Sequence, residues 1–146
     1  MDLIIKTTHQ ILNMFKIPFY YFKKSVHISI FARFDASTEL GTYCKIRGRV
    51  YIRNATVGDA TYIGSNGFFD NAIIGKFCSI GSNVKIVVNA HPSKDFVSTH
   101  PAFYSTLKQS GFTFTSLQLF DDHKYLDKKK GISVIIGNDV WIGSDV

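Results

Sequence analysis

With 146 residues, the chain is long enough for one domain and too short for two. Hydrophobic residues make up 45% and charged residues 19%, which excludes a disordered tail. An all-helical domain is also disfavoured, because 17 Ile and 10 Val stand against 7 Leu and 7 Ala, and β-branched side chains lose rotamer freedom in a helix. The two cysteines exclude a disulfide framework, and no CxxC or Cys/His spacing predicts structural zinc.

Residues 1–37 read as an N-terminal capping segment. The stretch MDLIIKTTHQILNMFKIPFYYFKK is apolar and aromatic, but Lys6, Lys16, Lys23 and Lys24 interrupt it. Its uncharged runs fall short of the roughly 20 residues of a membrane span, and it lacks the order of a secretory signal. The expected location is cytoplasmic and reducing. Lys and aromatics together would suit contact with an anionic membrane surface, yet a helix or strand closing one end of the next domain accounts for them more simply. The net charge of +6 is otherwise compatible with a polyanionic cofactor, nucleic acid or a merely basic surface. No motif or basic stripe supports nucleic acid.

From residue 38 a period appears. Large apolar residues stand at Leu40, Ile46, Ile52, Val57, Ile63, Phe69, Ile74, Ile80 and Ile86, six apart except for two steps of five, and the period resumes at Ile136 and Ile142. Two residues before each is a small or β-branched one: Thr38, Cys44, Val50, Ala55, Thr61, Gly67, Ala72, Cys78, Val84, Val134 and Val140. Glycine follows the large residue at seven of these positions, Gly41, Gly58, Gly64, Gly75, Gly81, Gly137 and Gly143. The two-residue alternation puts small and large on one face of a strand, and the glycine is expected to permit the bend after it. Three strands and three bends then close a triangular coil of about 18 residues, and coils stack at strand spacing into an all-β solenoid spanning residues 38–146. Cys44 and Cys78 fall in the small interior slot and read as packing residues.

Between Ile86 and Ile132 there is no isoleucine, and the rhythm breaks. Residues 92–131 form an excursion rich in aromatics, Ser, Thr and Lys, longer than structureless loops usually are unless they serve a function. His91 stands at its start, in VVNAHPSKDFVSTHPAFYS. His100 lies within it, His123 reads as a solvated loop residue, and Lys128, Lys129 and Lys130 as a solvated turn or a phosphate attractor. Where the hexads resume, Trp141, the single tryptophan, falls in an outward slot that wants cover from a ligand or another subunit. Val146 is the small residue of an unfinished hexad, so the last coil reads as incomplete and the chain as a fragment.

The hexads, the histidine opening a long excursion and the VIIGNDVWIG run resemble the hexapeptide-repeat acyltransferases, in particular the xenobiotic acyltransferase branch. The HPSKDFVSTHPAFYS stretch is closer still to relatives that O-acetylate bacterial surface polysaccharides or their sugar precursors. The resemblance implies a left-handed parallel β-helix, a handedness that spacing alone does not supply. It also implies acetyl-CoA as co-substrate without a metal, and a homotrimer with sites between subunits. In that chemistry His91 is the general base for a sugar hydroxyl, since an imidazole is suited to accept a proton near neutrality, and a backbone amide stabilises the oxyanion. Trp141 and Gly143 are the implied coenzyme contacts. His100, Phe103 and Tyr104 are candidates for the acceptor side.

Other readings stay open at this level. His91 could instead cap the coil structurally, and Trp141 could simply pack against a neighbouring subunit. An inactive β-helix fragment or assembly scaffold is the main alternative to an enzyme. An antibiotic acceptor is less favoured, as is a zinc hydratase on the same solenoid, since His91 and His100 are not spaced as metal ligands.

Overall fold

The computed structural model describes residues 18–22 and 25–146. They form two compact units, a solenoid within Met1–Ile86 and Leu126–Val146, and the excursion Val87–Tyr125. Most of residues 1–30, the segment that would suit an anionic membrane surface, lies outside the described residues. No helix among the described residues is long and apolar enough to cross a membrane.

The solenoid is built of strands two or three residues long: β1 (His27–Ile28), β2 (Arg33–Phe34), β3 (Glu39–Leu40), β4 (Lys45–Ile46), β5 (Tyr51–Arg53), β6 (Thr56–Val57), β7 (Tyr62–Ile63), β8 (Phe68–Asp70), β9 (Ala72–Ile74), β10 (Ser79–Ile80), β11 (Val134–Ile136) and β12 (Trp141–Ile142). They make three parallel sheets ordered β1-β4-β7-β10-β12, β3-β6-β9-β11 and β2-β5-β8. This all-β parallel solenoid is the one the hexads predict, and it is consistent with a left-handed β-helix. Equivalent residues sit directly above one another, Ile46 against Ile63 and Ile63 against Ile80. That spacing is 17 residues, because each of these coils contains one step of five.

The hexad register also starts earlier than residue 38. Val26 and Ala32 occupy buried small slots and Phe34 a buried large one, while β1 and β2 pair in parallel with β4 and β5. Residues 26–37 are therefore solenoid and not a separate cap. The sequence hid this because Ser29 and Asp35 stand where glycine would mark the hexad.

The glycines serve a different purpose from the one their position suggests. The backbone after the large residue is not left-handed. The left-handed corner falls on the residue before the small one, where Tyr43, Asn54, Ala60, Asn66, Asn71, Phe77, Asn83, Asp139 and Asp145 have φ of 44–64°. Asn and Asp tolerate that region better than other non-glycine residues, and they bond along the stack: Asn54 Nδ2 donates to Asn71 Oδ1 at 2.7 Å and Asn83 Nδ2 to Asp145 Oδ1 at 2.8 Å. What requires glycine is the neighbouring coil. A Cβ on Gly58 would lie 2.6 Å from the carbonyl carbon of Gly75, and one on Gly64 2.5 Å from that of Gly81.

Inside, the large residues form the core, with Leu40, Ile52, Val57, Ile63, Phe69, Ile74 and Ile80 buried. The small slots hold polar atoms only where a backbone acceptor waits. Thr61 Oγ1 donates to Gly75 O at 2.8 Å, Cys44 Sγ to Gly58 O at 3.1 Å and Cys78 Sγ to Gly137 O at 3.0 Å. Both thiols are thus packing groups within the prism.

Outside, Asp59 ties three coils together. Its carboxylate accepts from the Thr42 amide at 2.9 Å and hydroxyl at 3.1 Å, and pairs with Lys76 Nζ at 2.9 Å. Led by Lys76, these partners hold its carboxyl at about 2, below the usual 3.8.

Two predictions follow from the stacking. Gly58→Ala is expected to lower stability by about 1–3 kcal/mol through forced separation of coils, read as a fall of several degrees in Tm. A Gly58→Ala chain that melts with the natural one would sink the close-approach account. For Asp59, a depressed folded pKa means that the charge stabilises above the unfolded value and that this gain disappears as pH falls toward 2. The Tm gap between the natural chain and Asp59→Asn should therefore be constant above pH 5 and close between pH 4 and 2. A gap that widens on acidification would refute it.

Candidate active site

The excursion carries the candidate catalytic histidine and is a folded unit in its own right. Its two ends run antiparallel, with the Ala90 amide donating to Asp122 O at 2.9 Å and the Lys124 amide to Val88 O at 3.1 Å. The one helical element is a 3₁₀ turn, Pro101–Phe103, for which proline at the first position and His100 as N-cap are well suited. His100 Nδ1 accepts from the Ala102 amide at 3.2 Å. Irregular backbone is satisfied by side chains: Thr113 Oγ1 bonds Ala102 O at 3.1 Å and Ser105 O at 2.8 Å, and Gln118 Oε1 accepts from the Thr106 amide at 2.8 Å.

Around this frame Ala102, Tyr104, Ser105 and Asp122 are buried. The Tyr104 ring is packed edge-on by Phe96 and Phe120, with centroids at 5.8 Å and 5.5 Å. His91 is exposed, but its Nδ1 edge is engaged, lying 3.1 Å from Thr99 O and 2.7 Å from Tyr104 Oη. Its Nε2 has no hydrogen-bond partner among the described residues. An imidazole anchored through one nitrogen and bare at the other is the arrangement a general base requires. Burial, with the Asp122 carboxylate adding to it, raises the Tyr104 phenol above its usual value and keeps it protonated.

Tyr104 differs from its expected place. A candidate for the acceptor side, it is fully buried and its hydroxyl points at His91. Nothing in the sequence signals this pairing, because 13 residues of irregular chain separate the two. His100 and Phe103 are exposed and belong to an aromatic surface cluster: His100 stacks on Phe112 at 5.9 Å, and Phe114 lies 5.3 Å from both Phe103 and Phe112. The only signal of Phe112 and Phe114 in the sequence is the alternation FTF. His123 is half-buried and not a solvated loop residue; its backbone pairs with Asn89 and its ring stacks on Tyr125 at 6.1 Å.

In the solenoid, Trp141 points outward from β12 and is 80% exposed, beside Ser79 of β10. Gly143 follows that strand directly. Among the described residues no three His, Cys, Asp or Glu side chains converge as metal ligands.

The solenoid and a similarity to acetyltransferases together fit a hexapeptide-repeat acyltransferase. Over 78 residues the chain is 36% identical to a chloramphenicol acetyltransferase from Klebsiella aerogenes, covering 52% of this chain and 32% of that protein. It is 38% identical over 78 residues to a probable macrolide acetyltransferase from Lysinibacillus sphaericus, covering 53% and 38%. The matches thus span about a third of the length of these curated relatives. No protein-family model and no solved structure matches the chain.

Proposed function

We propose that the protein is an acetyl-CoA-dependent O-acetyltransferase in which His91 activates a hydroxyl of a sugar or polysaccharide precursor. The similarity to acetyltransferases carries the reading; the unpartnered Nε2 of His91 supports its mechanism. Acetyl-CoA supplies an activated thioester carbonyl. The acceptor oxygen attacks that carbonyl as His91 Nε2 takes its proton, the carbon–sulfur bond breaks and an acetyl ester forms. Because a thiolate leaves readily, no second acid is needed. His100 and Phe103, with the neighbouring phenyl rings, offer apolar and donor contacts for the acceptor. Trp141 and Gly143 are assigned to the coenzyme arm, and the active assembly to a homotrimer.

A second acceptor class is favoured by one observation: the relatives are named for chloramphenicol and macrolides. An antibiotic hydroxyl would be activated by the same step, so the acceptor panel must hold both classes.

Free-thiol release from acetyl-CoA, measured with sugars, chloramphenicol and a macrolide, tests this reading. His91→Ala is expected to lose at least about 100-fold in kcat while staying folded, with a modest fall in Tm from the lost contacts to Thr99 and Tyr104. Undiminished turnover in the variant would remove His91 as the base. Trp141, the single tryptophan, reports on the coenzyme directly: its fluorescence should be quenched by CoA in saturable fashion, and Trp141→Ala should raise KM for acetyl-CoA about tenfold with little change in kcat. Emission unaltered by saturating CoA would place the coenzyme elsewhere.

A further inference from the structure

His91 Nδ1 faces two oxygens at once, the Thr99 carbonyl at 3.1 Å and the Tyr104 hydroxyl at 2.7 Å. A carbonyl can only accept, a hydroxyl can donate or accept, and a neutral ring nitrogen carries either one proton or one lone pair. Both contacts attract together only when Nδ1 holds the proton and shares it between the two oxygens. If Nδ1 were bare and took the tyrosine proton, its lone pair would face the Thr99 carbonyl and the ring proton would sit on Nε2. In the first arrangement Nε2 is bare, and in the second it cannot act as a base.

The two oxygens are held differently. Thr99 is an exposed residue on irregular chain. Tyr104 is fully buried between Phe96 and Phe120, its amide donates to Pro101 O at 3.2 Å, and its carbonyl accepts from the Leu119 amide at 2.8 Å. Its hydroxyl is therefore a fixed point, whereas the Thr99 carbonyl alone would follow the motions of its loop.

We infer that Tyr104 is a positioning residue for His91. With the Thr99 carbonyl, its hydroxyl holds the imidazole in the tautomer protonated at Nδ1 and bare at Nε2. It also accepts from the Nδ1–H of the imidazolium that forms when Nε2 takes a proton. Tyr104 is sealed from substrate and acts only through His91, so this role rests on His91 being the base. The arrangement follows a general pattern in which the far nitrogen of a working histidine is fixed by a hydrogen bond, here with a buried hydroxyl in place of a carboxylate.

Ring ¹⁵N spectra of histidine-labelled full-length protein, recorded where the imidazole is neutral, distinguish a protonated from a bare ring nitrogen without any need for turnover. In the natural chain His91 is expected as one dominant tautomer with Nδ1 protonated. In Tyr104→Phe, which keeps the ring packing, it should become an exchanging mixture of tautomers. Where an acceptor is found, kcat should fall about tenfold in the variant with KM values unchanged, as expected for loss of a hydrogen bond to a group that becomes charged. A bare Nδ1 in the natural chain would overturn the inference, and so would an unaltered His91 tautomer in Tyr104→Phe. Turnover retained by His91→Ala would instead overturn the base assignment, and the ¹⁵N spectra would still decide whether Tyr104 fixes the ring.

Discussion

The solenoid depends on the close vertical approach of one coil to the next. Parallel strands must sit at hydrogen-bonding distance along all three faces, so the corners between them must close to the same spacing. At Gly58, Gly64 and Gly75 a single added carbon would stand 2.4–2.6 Å from backbone of the adjacent coil. Glycine there is a condition for stacking, and the bend itself is made two residues later by residues that accept a left-handed backbone, often Asn or Asp. From this constraint follow the other regularities: vertical columns of Ile and Phe within, and small slots whose hydroxyls and thiols reach the carbonyls of facing glycines.

In the sheet β2-β5-β8, where no glycine follows the large residues, charge helps to hold the stack. Asp35, Arg53 and Asp70 follow the large residues of successive coils in the sheet β2-β5-β8. Asp70 is buried and receives both Nε and a terminal nitrogen of Arg53, and this pairing raises the guanidinium pKa further. Partial burial pushes the Asp35 carboxyl up, but hydrogen bonds from Thr38, Ser37 and the Asn54 amide overcome that and hold it below its usual value. An arginine between two carboxylates can fill a corner because its partners compensate its desolvation.

The excursion follows different rules. Freed from the hexad, it has no repeated register to satisfy its backbone, and side chains take over that task. His100 caps the 3₁₀ turn, while Thr113 and Gln118 bridge loops, and Tyr104 sits at the centre beneath His91. Such a frame suits chemistry, since an exposed imidazole needs one edge fixed and the other left available. A strand two residues long inside a prism cannot offer both. The exposed rings of Phe103, Phe112 and Phe114 belong to the same unit.

The sequence by itself determined the solenoid, because the hexad is a local code. A two-residue alternation and a repeated glycine state which side chains face in, and stacking copies that statement from coil to coil. The same code displayed its own interruption and put His91 at the break. It did not disclose the first coil, where Ser29 and Asp35 replace the marking glycine. It also could not show why the glycines are needed, since the clash they avoid lies 17 residues away or, from Gly75 to Gly137, across the whole excursion. The partner of His91 was hidden for a related reason. Tyr104 reaches Nδ1 through an irregular fold in which no period links sequence distance to space, so only the packed tertiary structure could turn a candidate acceptor contact into a buried hydroxyl beside the imidazole.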